Sequence, residues 1–144
     1  MARYATTVES RKSPEEAFDY LANFANAREW DPGVVEGENL SGEPVGPGSR
    51  FRLVARFLGR SIPLEYRIIA FERPHRVVLE ADEAAVRSTD EIRVTAADGG
   101  IRVTYDADLR LKGWAGRVMD PFLGLAFRRS GDRAAAGLRE ALTT

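Results

Sequence analysis

A chain of 144 residues, 44% of them hydrophobic, is long enough to build one core and short for two domains. Its 21 basic and 22 acidic residues nearly cancel, so it lacks the positive field that holds a phosphate backbone, and nucleic acid is not expected as a partner. Cysteine is absent and histidine occurs once, which excludes disulfides, thiolate nucleophiles and thiolate or histidine-cluster metal sites.

No apolar run approaches the ~20 residues of a bilayer span, and Met1 to Thr6 lacks the apolar stretch of a signal peptide. A single cytoplasmic domain over residues 1–144, monomeric or homodimeric, is the expectation. Lysine occurs only at Lys12 and Lys112, and the arginine- and alanine-rich remainder is a composition associated with GC-rich bacterial genomes.

The alternation of Tyr4, Thr6 and Val8 predicts a first strand from Arg3 to Glu9. Ser13-Pro14-Glu15-Glu16 then starts a helix: serine caps, proline suits the first helical position, and Glu16 completes a capping box. Ala17, Phe18 and Leu21 form its buried stripe, and Asn23 ends it. A second short helix runs from Phe24 to Trp30 and stops at Asp31-Pro32-Gly33, because proline disfavours helix in the residue before it. Val34 to Leu40 reads as a strand, followed by a glycine- and proline-rich loop from Ser41 to Gly48.

From Ser49 the chain alternates strictly. Phe51, Leu53, Ala55 and Phe57 share one face while Arg50, Arg52 and Arg56 share the other. The split recurs in Ile62 to Ile68, Val86 to Val94 and Ile101 to Leu111, with a shorter strand from Arg76 to Ala81. The turns at Glu72-Arg73-Pro74-His75, Asp82-Glu83-Ala84 and Asp98-Gly99-Gly100 suit an antiparallel meander. The outward arginines interleave with Glu65, Glu91, Asp106 and Asp108, which reads as a cross-strand salt-bridge ladder. After Gly113 the spacing becomes helical, with Trp114, Val118, Phe122 and Leu125 near one stripe and Leu138 and Leu142 extending it. Pro121 predicts a kink near Met119-Asp120, and Gly131 a second weak point. The fold class is therefore α+β: a curved antiparallel sheet laid around one long C-terminal helix, with two short helices after the first strand and room for a cavity between.

Polar residues on the inner face are the candidates for chemistry, and parity selects Tyr66, Ser88, Asp90 and Tyr105. With a tight Asp98-Gly99-Gly100 hairpin, Asp90 lies roughly opposite Tyr105. A buried aspartate has its pKa raised and can act as a general acid or base, with Tyr105 beside it. The alternative is a purely structural hydrogen bond to a tyrosine, or a bulge that turns Asp90 outward. Trp30, Phe51, Leu53, Tyr66, Ser88, Tyr105, Trp114, Met119 and Phe122 are the candidate ligand-binding residues, although Trp30 better suits an anchor for the turn after it. His75 sits in an exposed turn, and without cavity histidine or cysteine no nucleophilic triad can form.

The segments Ser13 to Leu21, Trp30-Asp31-Pro32-Gly33-Val34, Val45 to Phe51 and Leu111-Lys112-Gly113 together resemble the START/Bet v1-like superfamily, in particular the small polyketide cyclase/dehydrase group known as SRPBCC. The resemblance covers nearly the whole chain. It implies a helix-grip fold, with a seven-stranded sheet wrapped around the last helix and a deep cavity for hydrophobic molecules such as lipids, polyketides or aromatics. No metal or nucleotide cofactor is expected. Three functions follow as alternatives: a binder of a hydrophobic small molecule, a cyclase or aromatase using Asp90 or a tyrosine as acid/base, and a regulator that binds a partner through the sheet face or the Gly42 to Gly48 loop.

Overall fold

In the computed structural model the described residues are 2–57, 59–112 and 120–143, and for 2 and 120–124 the description covers the backbone alone. Strand β1 (Ala2–Ser10) leads to helix α1 (Pro14–Ala22), a 3-10 turn (Phe24–Asn26) and helix α2 (Ala27–Trp30). Six strands follow: β2 (Val34–Asn39), β3 (Arg50–Phe57), β4 (Arg60–Glu72), β5 (Arg76–Asp82), β6 (Val86–Ala97) and β7 (Gly100–Leu111). Helix α3 (Asp120–Thr143) closes the described chain.

The seven strands form one antiparallel sheet in the order β1-β7-β6-β5-β4-β3-β2. The two parts of the chain thus meet where β1 pairs with β7, while β2 to β7 form a continuous meander. Register shifts at Val34/Glu36 and Ile68/Ala70 interrupt β2 and β4. Such bulges add local twist, and they help curl the sheet into a half-barrel. The inner face carries the apolar alternation, with Phe51, Val77, Leu79, Ile92 and Val103 fully buried. On the outer face Arg76 bonds Glu72 and Glu91 at 2.7 and 2.6 Å, Arg3 bonds Asp106 at 2.6 Å and Arg102 bonds Glu9 at 3.3 Å. The ladder is real, and exposed pairs of this kind contribute at most ~1 kcal/mol each.

Local chemistry explains the helix ends. The Ser13 hydroxyl accepts the Glu16 N–H at 3.1 Å, with Pro14 in the first turn where no donor is needed. Helix α2 ends at Asp31, whose extended backbone (φ −105, ψ 108) is the conformation Pro32 demands of its predecessor. The Asp31 carboxylate then accepts the Gly33 N–H at 2.8 Å, which tightens the turn into β2.

Two expectations for the last helix are corrected. Leu125 is 50% exposed and does not share the buried stripe of Leu138 and Leu142. Thirteen residues at about 100° each leave Leu125 roughly 140° from Leu138 around the helix, and the stripe runs instead through Ala134, Ala135, Leu138 and Leu142. Gly131 does not weaken the helix, which runs unbroken through it. A Cβ there would fall 2.5 Å from ring atoms of Tyr4, so glycine at this position lets α3 lie close on β1. The kink expected near Met119-Asp120 falls at the border of the described residues, where Pro121 stands in the first turn of α3.

Helix α3 is pinned at three further points. The Tyr4 hydroxyl donates to Asp132 at 2.8 Å, and the buried Ser10 hydroxyl donates to the carbonyl of Leu142 at 2.7 Å, satisfying a helix-end acceptor. Gly137 lies against α2, where an added Cβ would stand 1.8 Å from the Trp30 carbonyl oxygen. Gly→Ala in a helix interior ordinarily gains about 1 kcal/mol. Here the clash is with backbone, so Gly137→Ala is expected to lose about 2–3 kcal/mol net in urea denaturation. A neutral or stabilising result would contradict this seat for the helix.

Candidate functional site

Among the described residues a cavity of about 370 Å³ lies between β3, β4, β6, β7, the Trp30-Asp31 turn and the Phe127 to Ser130 part of α3. Its walls are mostly apolar, with Leu53, Ile62, Leu64, Val86 and Leu109 prominent. The Phe57 and Phe127 rings meet edge to face, centroids 6.4 Å apart, where β3 approaches the helix. Arg56 and Arg60 are the lining cations among the described residues, and both are exposed.

Polar groups cluster on one wall. The Tyr66 hydroxyl donates to Ser88 Oγ at 2.8 Å, Ser88 donates to Asp90 Oδ1 at 3.3 Å, and the Tyr105 hydroxyl donates to Asp90 Oδ2 in a short hydrogen bond. All four residues are buried. Strand parity places them together, since Ser88 and Asp90 are alternate residues of β6 with Tyr66 on β4 and Tyr105 on β7. The expected pairing needs one correction. Asp90 pairs with Ala107 and Tyr105 with Ile92, because the hairpin turns on Asp98-Gly99 alone. The Tyr105 phenol is long enough to reach Asp90 on the diagonal.

Burial pushes the Asp90 pKa up to about 7, against the opposing pull of the hydrogen bonds from Tyr105 and Ser88. Burial also raises both phenols well above 10, aided by the negative charge of Asp90. Aromatic contacts hold the cluster in place: Trp30 meets Tyr105 edge to face at 5.5 Å, and Phe24 meets Tyr66 at 4.9 Å. The arrangement can accept hydrogen bonds, and it can take up or release a proton near neutral pH.

The remaining sequence candidates divide. Trp30 and Leu53 line the cavity, whereas Phe51 is fully buried in the core and is not among the lining residues. Trp114 and Met119 lie outside the described residues, as does the side chain of Phe122. His75 is exposed in its turn. The sequence reading missed most of the apolar lining, Ile62, Leu64, Val86 and Leu109 among it, and one carboxylate. Asp31, treated there only as part of a helix stop, is half-buried at the cavity, and burial raises its pKa. Its negative charge contributes to the raised pKa of Asp90. The signal that could have found it is the Asx turn of Asp31-Pro32-Gly33, which points the carboxylate back toward the chain rather than into solvent. Among the described residues no group of three or more histidine, cysteine or acidic side chains is arranged to hold a metal ion, and no helix is long and apolar enough to cross a membrane.

A curled sheet gripping a C-terminal helix around an apolar cavity with one polar wall defines the helix-grip class of ligand-cavity domain. The chain belongs to the polyketide cyclase / dehydrase and lipid transport family, whose model matches residues 1–143. Similar solved structures include a START superfamily protein from Mycobacterium smegmatis, with 15% identity, a TM-score of 0.78 and 99% of this chain aligned to 97% of that one. Ginseng major latex-like protein 151 from Panax ginseng aligns over 99% of this chain and 98% of its own, at 12% identity and a TM-score of 0.70. The di-domain ARO/CYC BexL from the BE-7585A biosynthetic pathway is 18% identical with a TM-score of 0.70, and 99% of this chain covers 50% of it. At such identities the likeness is one of fold. No curated protein matches the sequence.

The raised pKa of Asp90 has a stability consequence. Between pH 4 and about 7 the folded protein keeps a proton that the unfolded chain has lost, so stability falls as pH rises through that window and levels off above it. Asp90→Asn removes this loss. The variant is expected to match the wild type near pH 4 and to exceed it by about 2–4 kcal/mol at pH 8, read from urea denaturation across the series. A stability difference that does not change with pH would refute the burial of this charge.

Proposed function

We propose that this protein binds a hydrophobic small molecule, a lipid, polyketide or aromatic, in the cavity between sheet and C-terminal helix. The observation that carries the reading is the cavity itself: about 370 Å³ of space with apolar walls and its hydrogen-bonding groups gathered largely on one side. That is the composition a site needs to bury a carbon skeleton and orient it by a few polar contacts. Membership of a family described by lipid transport as well as by cyclase and dehydrase activity supports it. At roughly 30 Å³ per heavy atom the space accommodates a body of about twelve atoms. Burying ten carbons of such a ligand gains roughly 8 kcal/mol before the costs of association, so micromolar affinity is within reach. In this reading the 144 residues act as one unit in the cytoplasm, as monomer or homodimer, and the near balance of charge supports a small molecule over nucleic acid as the partner.

A second reading is favoured by one observation, the Asp90 carboxyl with its pKa of about 7 next to the Tyr105 hydroxyl. A cyclase or aromatase acting on a poly-β-ketone needs such a group to remove a proton from carbon and return it to oxygen, while the cavity folds the chain. BexL, an ARO/CYC protein of the same fold, supports it by analogy alone.

Native mass spectrometry of the purified protein, followed by titration with an environment-sensitive apolar dye, tests the first reading. Ala107→Phe fills the cavity from β7 and is expected to weaken dye binding at least tenfold while leaving the thermal midpoint unchanged or raised. Undiminished binding by the filled variant would place the ligand elsewhere. Asp90→Asn separates the two readings, since it keeps the shape of the wall and removes the titrating group. Apolar ligand affinity changes less than threefold in a binder, whereas turnover of a model polyketide falls at least a hundredfold in a cyclase.

A further inference from the structure

We propose that Arg60 holds the anionic head of an amphiphile at the rim of the cavity, so that the ligand is a carboxylate-headed apolar chain bound tail inward. The inference rests on the ligand-binding reading above and adds to it the chemical class of the ligand.

Strand register singles the residue out. Of the charged residues on the seven strands, pairing places all but two on the outer face, and the two are Asp90 and Arg60. Asp90 is buried in the polar wall opposite Ala107. Arg60 pairs with Phe57 at the turn end of the β3 and β4 hairpin, in the row that continues through Ile62, Leu64 and Tyr66. It lines the cavity and is exposed, which puts it at the rim. Arg56, the other lining cation, pairs with Ser61 and belongs by register to the outer face.

The charge of Arg60 is not spent inside the protein. Arg3, Arg50, Arg76, Arg87, Arg93, Arg102 and Arg110 of the outer face each meet a carboxylate, whereas among the described residues none meets Arg60. Asp31, the other lining carboxylate, is perturbed by burial and by the Gly33 N–H, with no contribution from Arg60. Inward-pointing charges can also guard the edge of a sheet against pairing with another chain. Strand β4 lies between β3 and β5, so that role does not account for Arg60.

The two ends of the cavity therefore favour different parts of a ligand. A guanidinium offers parallel N–H donors that match a carboxylate. Six residues of β4 separate Arg60 from Tyr66, about 20 Å of extended strand, so a head at the rim stands well away from the Asp90 carboxyl. An anion turned inward would instead face Asp31 and Asp90. Between the ends the walls are apolar, and about 370 Å³ at roughly 30 Å³ per heavy atom takes a ligand the size of decanoate. A neutral chain gains the burial without the pairing.

Decanoate and 1-decanol, titrated calorimetrically into the wild type and two variants at pH 8, test this. The wild type is expected to bind decanoate at least fivefold more tightly than decanol. Arg60→Met keeps an unbranched stem and removes the charge, and Arg60→Glu reverses it. Each is expected to weaken decanoate at least fivefold, Arg60→Glu the more, while decanol changes less than twofold. Equal affinities in the wild type, or a decanoate preference that survives both variants, would overturn the inference and leave the cavity reading standing on the decanol. An equal loss of both ligands in the variants would overturn it as well, assigning Arg60 to the shape of the rim. Failure of both ligands to bind the wild type would overturn the inference and the cavity reading together.

Discussion

The seat of the C-terminal helix governs the rest of the molecule. Gly131 lets α3 lie on the Tyr4 ring, and Gly137 lets it touch the Trp30 carbonyl, so the helix is held against a side chain of β1 and at backbone distance from α2. That placement fixes Trp30 from behind. The Trp30 ring in turn packs edge-on against Tyr105, and Tyr105 bonds Asp90. A continuous run of contacts thus leads from two glycines in a helix to the titrating group of the cavity. Closely packed interiors transmit displacement rather than absorb it. Helix position and carboxyl position are therefore one variable.

The same geometry explains why a cavity persists. The sheet curls around its inner face, and bulges in β2 and β4 increase the curl. A helix stripe built from Ala134, Ala135 and glycine is narrow where it faces the sheet, while the larger Leu138 and Leu142 are spent closer to its C-terminal end. Among the described residues, small side chains bring the helix close to β1 and α2, and only Phe127 and Ser130 of α3 line the cavity. The gap is the cost of the close seat elsewhere.

How much of this was legible in the sequence follows from which forces act locally. Strand alternation is a local signal with period two, and it placed Tyr66, Ser88, Asp90 and Tyr105 on one wall correctly. It left the register of β6 on β7 two residues out, because parity fixes which face a side chain takes and not which residue stands opposite it: Asp90 pairs with Ala107, and Tyr105 reaches it on the diagonal. Helical phase was harder: Leu125 and Leu138 look alike in composition, yet thirteen residues carry them to different faces. Gly131 reads in isolation as a break, and only the approach of Tyr4 from a strand more than a hundred residues away shows why glycine stands there. Asp31 stayed hidden for a different reason. Its sequence role as a helix stop is genuine, and the second role appears only when the turn it makes is folded against the sheet.

The polar wall is not cohesive for the free protein. Desolvation raises Asp90 far enough that its ionisation above neutral pH works against folding, and two hydrogen bonds offset this only in part. An apolar wall of the same shape would pack without that penalty, as buried ionic groups are commonly replaceable by hydrophobic ones at no loss of stability. A second carboxylate at Asp31 raises Asp90 further. A hydrogen-bond donor brought to Asp90 offsets its charge in the same way as the bonds from Tyr105 and Ser88 already do in part. Burial raises both Asp31 and Asp90, so the stability of the free fold does not account for either carboxylate at this wall.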